Sequence, residues 1–96
     1  MQEVTVNQVP EDAQLIDVRE ADEYSEIRAK GAISIPMSEI VGRVEEIDQD
    51  RDIYLICKAG GRSRQVGEYL EQRGIDVINV AGGTDGWIAA GLPTEQ

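Results

Sequence analysis

The stretch IYLICKAGGRSRQVGEYLEQRG, residues 53–74, decides how the chain is read. Ile53 to Cys57 is a short apolar run bounded by charge and glycine, the pattern of a strand buried on both faces. From Ser63, which can cap, Val66, Tyr69 and Leu70 recur at helical spacing until Gly74 stops the segment, so a helix is expected over Ser63 to Arg73. A strand, a glycine-bearing turn and a helix in that order form the elementary unit of an α/β fold.

Outward from this unit the pattern repeats. LIDV at 15–18 and VINV at 77–80 read as further buried strands, with weaker candidates at VTV 4–6 and AISI 32–35. Helical spacing places Ile40, Val41, Val44 and Ile47 on one face of a segment from Ser38 to Ile47, with Ser38 as its cap. A short helix is expected at Glu20 to Glu26 and a last one at Thr84 to Ala90, ended by Gly91, Leu92 and Pro93. Strands alternating with helices predict an α/β sandwich around a mostly parallel sheet of about five strands. The 96 residues, 41% of them apolar, fit one domain spanning 1–96 and leave no room for a second.

Composition narrows the chemistry. With 19 acidic and 9 basic residues the chain repels phosphate backbones and anionic lipid, so nucleic acid is not an expected partner. Solubility is the simpler reading of this charge than a specific docking surface. The run Ile53–Cys57 is far shorter than the roughly 20 residues of a membrane span. The start MQEVTVNQVPEDAQ lacks the basic and apolar regions of an export signal, so the cytoplasm is the expected compartment. The absence of histidine excludes imidazole acid/base catalysis and imidazole metal ligation, and neither a metal nor a cofactor is expected.

Cys57 is the only cysteine. Seven acidic residues lie between Glu11 and Glu26, whereas Lys58 to Arg64 contains three basic residues and no acid. A strand ending in Cys57 carries its sulfur to the carboxyl edge of the sheet, where open α/β folds place ligands. Gly60 and Gly61 permit a sharp turn with inward amides, and the following helix adds positive charge at its amino end. Lys58, Arg62 and Arg64 add full charges. These surroundings lower a thiol pKa, and the amides would equally hold a second anion at the sulfur, such as a thiosulfate or a departing sulfite. A free cysteine closing a strand is often inert packing. The glycines, cations and helix start that follow this one favour a reactive site, although each glycine alone is explained by an ordinary turn.

Four segments then resemble, in order, the rhodanese-like family of sulfurtransferases: LIDVREADEY at 15–24, GAISIP at 31–36, CKAGGRS at 57–63, which fits CxxGxRS, and VAGGTDGWIAAGLP at 80–93. The resemblance implies a three-layer α/β/α sandwich with a five-stranded, mostly parallel sheet and a six-residue active loop, Cys57 to Arg62. It makes Cys57 the catalytic sulfur acceptor. Lys58, Ala59, Gly60, Gly61 and Arg62, with Ser63, become the cradle that binds substrate. Asp17 and Arg19 take a supporting role, and Trp87 packs in the core beyond Gly82 and Gly83. One departure is IRAKGA at 27–32, where the family commonly has GHIPGA; Arg28 and Lys30 thereby add cations expected near the rim.

The expected activity is transfer of sulfane sulfur from a small anionic donor such as thiosulfate, through a Cys57 persulfide, to an acceptor that is a thiol, cyanide or a protein. An alternative is a carrier or regulatory module that hands persulfide sulfur to one protein partner. A phosphatase or arsenate reductase of related fold separates cysteine and arginine by five residues; the four between Cys57 and Arg62 leave less room for a tetrahedral oxyanion and favour sulfur. With one cysteine the persulfide cannot resolve internally, so the acceptor must come from outside.

Overall fold

The computed structural model describes residues 1–96. Its main sheet is built from β1 (Gln2–Val4), β2 (Gln14–Asp17), β4 (Ile33–Ser34), β5 (Ile53–Ile56) and β6 (Ile78–Val80). Their spatial order is β1-β6-β5-β2-β4, and every pair is parallel. β5 therefore lies at the centre, in register with Leu15 to Asp17 on one side and Ile78 and Asn79 on the other.

The two-residue period of β5 divides the core. Ile53, Leu55 and Cys57 face a cluster with Ile16, Val66 and Leu70, while Tyr54 and Ile56 face a second with Leu15, Val80 and Trp87. The helix α2 (Gly61–Gln72) and the segment Met37–Glu46 cover the first face; α3 (Gly83–Ala89), the turn Val6–Gln8 and Tyr24 of α1 (Ala21–Glu26) cover the second. This is the expected α/β/α sandwich, and no helix is long and apolar enough to cross a membrane.

Several local expectations are corrected. The first strand ends at Val4, because Thr5 turns the chain into a 3-10 segment in which the Gln8 side chain accepts the Thr5 amide at 2.8 Å. Met37–Glu46 is 3-10 rather than α, broken at Arg43, and Val41 is 67% exposed instead of sharing the buried face with Ile40. Three residues per turn, instead of 3.6, rotate the stripe that α spacing defined. Ser38 does not cap this segment; its hydroxyl donates to Glu20 at 2.7 Å. A short antiparallel ribbon, β3 (Arg28–Ala29) with β7 (Thr94–Glu95), lies outside the expected elements. As expected, α2 stops at Gly74, whose φ of 81° lets Ile75 N–H reach back to Leu70 O at 3.0 Å.

Candidate active site

β5 ends one residue before Cys57 and delivers it to the carboxyl edge of the sheet. The chain then turns at Gly60, whose φ of 115° lies in the left-handed region open to glycine, and α2 starts at Gly61. Helix formation thus begins three residues earlier than capping by Ser63 predicts. Gly60 occupies the cap position, and Ser63 sits inside the first turn, fully buried, with its hydroxyl 3.2 Å from both Cys57 Sγ and Gly60 O.

The amide of Gly60 donates to Cys57 Sγ at 3.0 Å. Burial pushes the Cys57 thiol up, but hydrogen bonds from the Ser63 hydroxyl and from the amides of Ser63, Gly60 and Ala59 outweigh it and hold the thiol below its ordinary range. Uncharged donors dominate this effect, because each neighbouring cation is engaged elsewhere. Lys58 Nζ pairs with Asp85 at 2.7 Å, Arg64 pairs with Glu3, and Arg62 forms a two-point pair with Glu23 at 2.7 and 2.9 Å. The Arg62 pair lowers the Glu23 carboxyl to about 2 and raises the guanidinium. The cationic island of the sequence is therefore an array of ion pairs in the fold.

The loop is fastened from the β6–α3 side. Thr84 N–H and hydroxyl donate to Cys57 O at 2.8 and 3.0 Å, and Asp85 N–H donates to Lys58 O at 3.0 Å. So close an approach explains Gly83: a Cβ there would lie 2.5 Å from Lys58 O. Asp17, the last residue of β2, and Arg19 form a buried pair, with Arg19 Nη2 2.8 Å from Asp17 and 2.6 Å from Ile27 O. They brace the turn into α1, from which Glu23 reaches Arg62. Trp87 is buried and donates to Pro93 O at 2.7 Å.

Arg28 and Lys30 do not join the loop. Arg28 stacks over Tyr24 at 4.6 Å, and Lys30 lines a cavity of about 520 Å³ with Glu11, Trp87 and Leu92, which includes no loop residue. A smaller cavity of about 290 Å³ lies against Ala59, Gly60, Gly61, Asn79 and Gly82. Sequence reasoning passed over Glu3, Glu23, Asn79, Thr84 and Asp85. Only Asn79 carried a local signal, as a polar residue within an apolar strand; the others meet the loop through tertiary packing.

A parallel α/β sandwich that presents a thiol in an amide-lined loop at its carboxyl edge defines the class. The rhodanese-like domain family matches residues 2–90, and the chain belongs to that family. It is similar to a sulfurtransferase of Allochromatium vinosum, 39% identical over 84 residues covering 86% of this chain and 78% of that one. It is also similar to the thiosulfate sulfurtransferase GlpE of Actinobacillus succinogenes, 37% identical over 86 residues covering 88% and 78% of the two chains. The crystal structure of a rhodanese-related protein from Thermoplasma volcanium superposes with a TM-score of 0.91 at 28% identity, covering 99% of this chain and 98% of that one.

Proposed function

We propose that the protein is a sulfurtransferase that takes sulfane sulfur from thiosulfate and passes it to a thiophilic acceptor through a persulfide on Cys57. The observation that carries this reading is the set of hydrogen bonds at Cys57 Sγ, which favour a thiolate without any imidazole base. In the first step the Cys57 thiolate attacks the sulfane sulfur of thiosulfate; the new S–S bond forms as the old one breaks, and sulfite leaves with the electron pair. In the second, an acceptor such as cyanide attacks the outer sulfur, thiocyanate forms, and the thiolate is regenerated. Neither step consumes a proton or an outside oxidant. The amides at the start of α2 are suited to the charge on the persulfide and on the departing sulfite.

The named activity of the Actinobacillus relative supports thiosulfate as donor. Because Cys57 is the sole thiol, the acceptor is a separate molecule: a low-molecular-weight thiol or a protein in the cell, and cyanide in an assay. Intact-mass measurement after incubation with thiosulfate should show addition of one sulfur atom to the wild type and none to Cys57→Ser, with thiocyanate formed on adding cyanide. A wild type that neither gains the sulfur nor yields thiocyanate would refute thiosulfate as the donor.

A further inference from the structure

Asn79 is 1% exposed in the middle of β6, among apolar residues that need no amide. Its Nδ2 donates to Glu3 at 2.8 Å and to Gly60 O at 3.3 Å, while its Oδ1 has no partner. A flipped amide would set that oxygen against a carboxylate and a carbonyl, so the two donors fix the orientation and leave the acceptor unsatisfied. A buried polar atom without a partner destabilises the fold, because it gives up its hydrogen bonds to water and gains none. The gain from this orientation is to be sought at Gly60.

Three donors converge on Gly60 O: Arg64 N–H at 3.2 Å, Asn79 Nδ2 at 3.3 Å and the Ser63 hydroxyl at 3.2 Å. A carbonyl oxygen has two lone pairs, and a serine hydroxyl has one hydrogen. Arg64 N–H closes the first turn of α2 and takes one lone pair. With Asn79 on the other, the only remaining acceptor in reach of the Ser63 hydrogen is Cys57 Sγ, also at 3.2 Å. We infer that Asn79 is a positioning residue: by occupying the Gly60 carbonyl it commits the Ser63 hydroxyl to the Cys57 sulfur. This rests on Cys57 being the sulfur acceptor, and it adds to that reading the residue that directs the hydroxyl.

The charged groups around Cys57 do not substitute for this arrangement. Arg62 on α2 is held by Glu23 of α1, Lys58 by Asp85 of α3, Arg64 by Glu3 of β1, and Arg19 by Asp17 at the end of β2. An uncharged replacement at Asn79 leaves each of these pairs its partner.

The test is the thiolate absorbance of Cys57 against pH, corrected with Cys57→Ser, for wild type, Asn79→Leu, Ser63→Ala and the double variant. Asn79→Leu should raise the thiol midpoint by about half to one pH unit, leaving roughly three- to tenfold less thiolate below it. Ser63→Ala should raise it at least as far, and the double variant should match Ser63→Ala alone, because Asn79 acts on the sulfur only through that hydroxyl. A folded Asn79→Leu with an unmoved midpoint, or additive shifts in the double variant, would overturn the inference. If Asn79→Leu does not fold, the side-chain amide resonance of Asn79 in the wild type decides: it should shift with the Cys57 titration, and a resonance that stays fixed overturns the inference. Neither measurement involves thiosulfate, so failure of sulfur loading would remove the proposed donor and leave the role of Asn79 to be judged separately.

Discussion

Arg62 and Lys58 flank the same sulfur but are held differently. The two-point bond between Arg62 and Glu23 is half-buried, whereas the Lys58–Asp85 contact is open to solvent and screened by salt. If the donor is an anion, Arg62→Ala should raise the KM for thiosulfate roughly three- to tenfold, with Lys58→Ala changing it less than about twofold; steady-state kinetics on both variants checks the ranking. Asp17 has a different task. Removing one partner of its buried pair with Arg19 strands a charge, so Asp17→Ala should lose about 3–5 kcal/mol in urea unfolding. At this scale the sequence exposed Cys57 and its loop because their chemistry is contiguous. It concealed the carboxylates of Glu3, Glu23 and Asp85, which arrive from elsewhere in the chain; Glu3 and Arg64, for example, are 61 positions apart.

The β6–α3 turn and the Cys57 loop behave as one unit, because the first amides of α3 hold the carbonyls of Cys57 and Lys58. Gly83 has a φ of 58° and no room for a Cβ, while Gly31, at 84°, has nothing within 4 Å of the same position. Gly31→Ala should therefore lose only the left-handed backbone cost, about 1–2 kcal/mol. Gly83→Ala should lose more and should also slow sulfur loading, because the loop carbonyls must move. Urea unfolding paired with the mass assay separates the two effects. The buried strands β2, β5 and β6 were legible from their apolar runs, and α2 from its spacing. The 3-10 geometry of Met37–Glu46 was not, since its apolar residues fit a helix of either pitch. Nor was the β3–β7 ribbon, whose two-residue strands are too short to establish a period.

For the whole molecule, a net charge of −10 makes acid the informative perturbation. The carboxyl of Glu23 falls from 4.5 to about 2 on pairing with Arg62. A depressed acid stabilises the fold fully above its unfolded value and loses that contribution as pH falls through its folded one. The stability difference between wild type and Glu23→Gln should thus be constant above about pH 4.5 and should shrink to little by about pH 2; chemical unfolding across this window measures it. The three-layer order was legible because alternation of strands and helices constrains connectivity. The pairing of the surface charges depends on side-chain reach across the finished fold, which no local pattern encodes. The 1% exposure of Cys57 also bears on how the protein ages in air. Two such sulfurs cannot meet, because a disulfide needs its Cα atoms within about 7 Å and each sulfur lies beneath its own loop. The protein kept without reductant should remain free of covalent dimers on a non-reducing gel. The proposed persulfide would carry its outer sulfur about 2 Å from Cys57 Sγ, one S–S bond length. The resting thiol is thus shielded from other copies, and in the proposed persulfide the outer sulfur would be the atom that an acceptor has to reach.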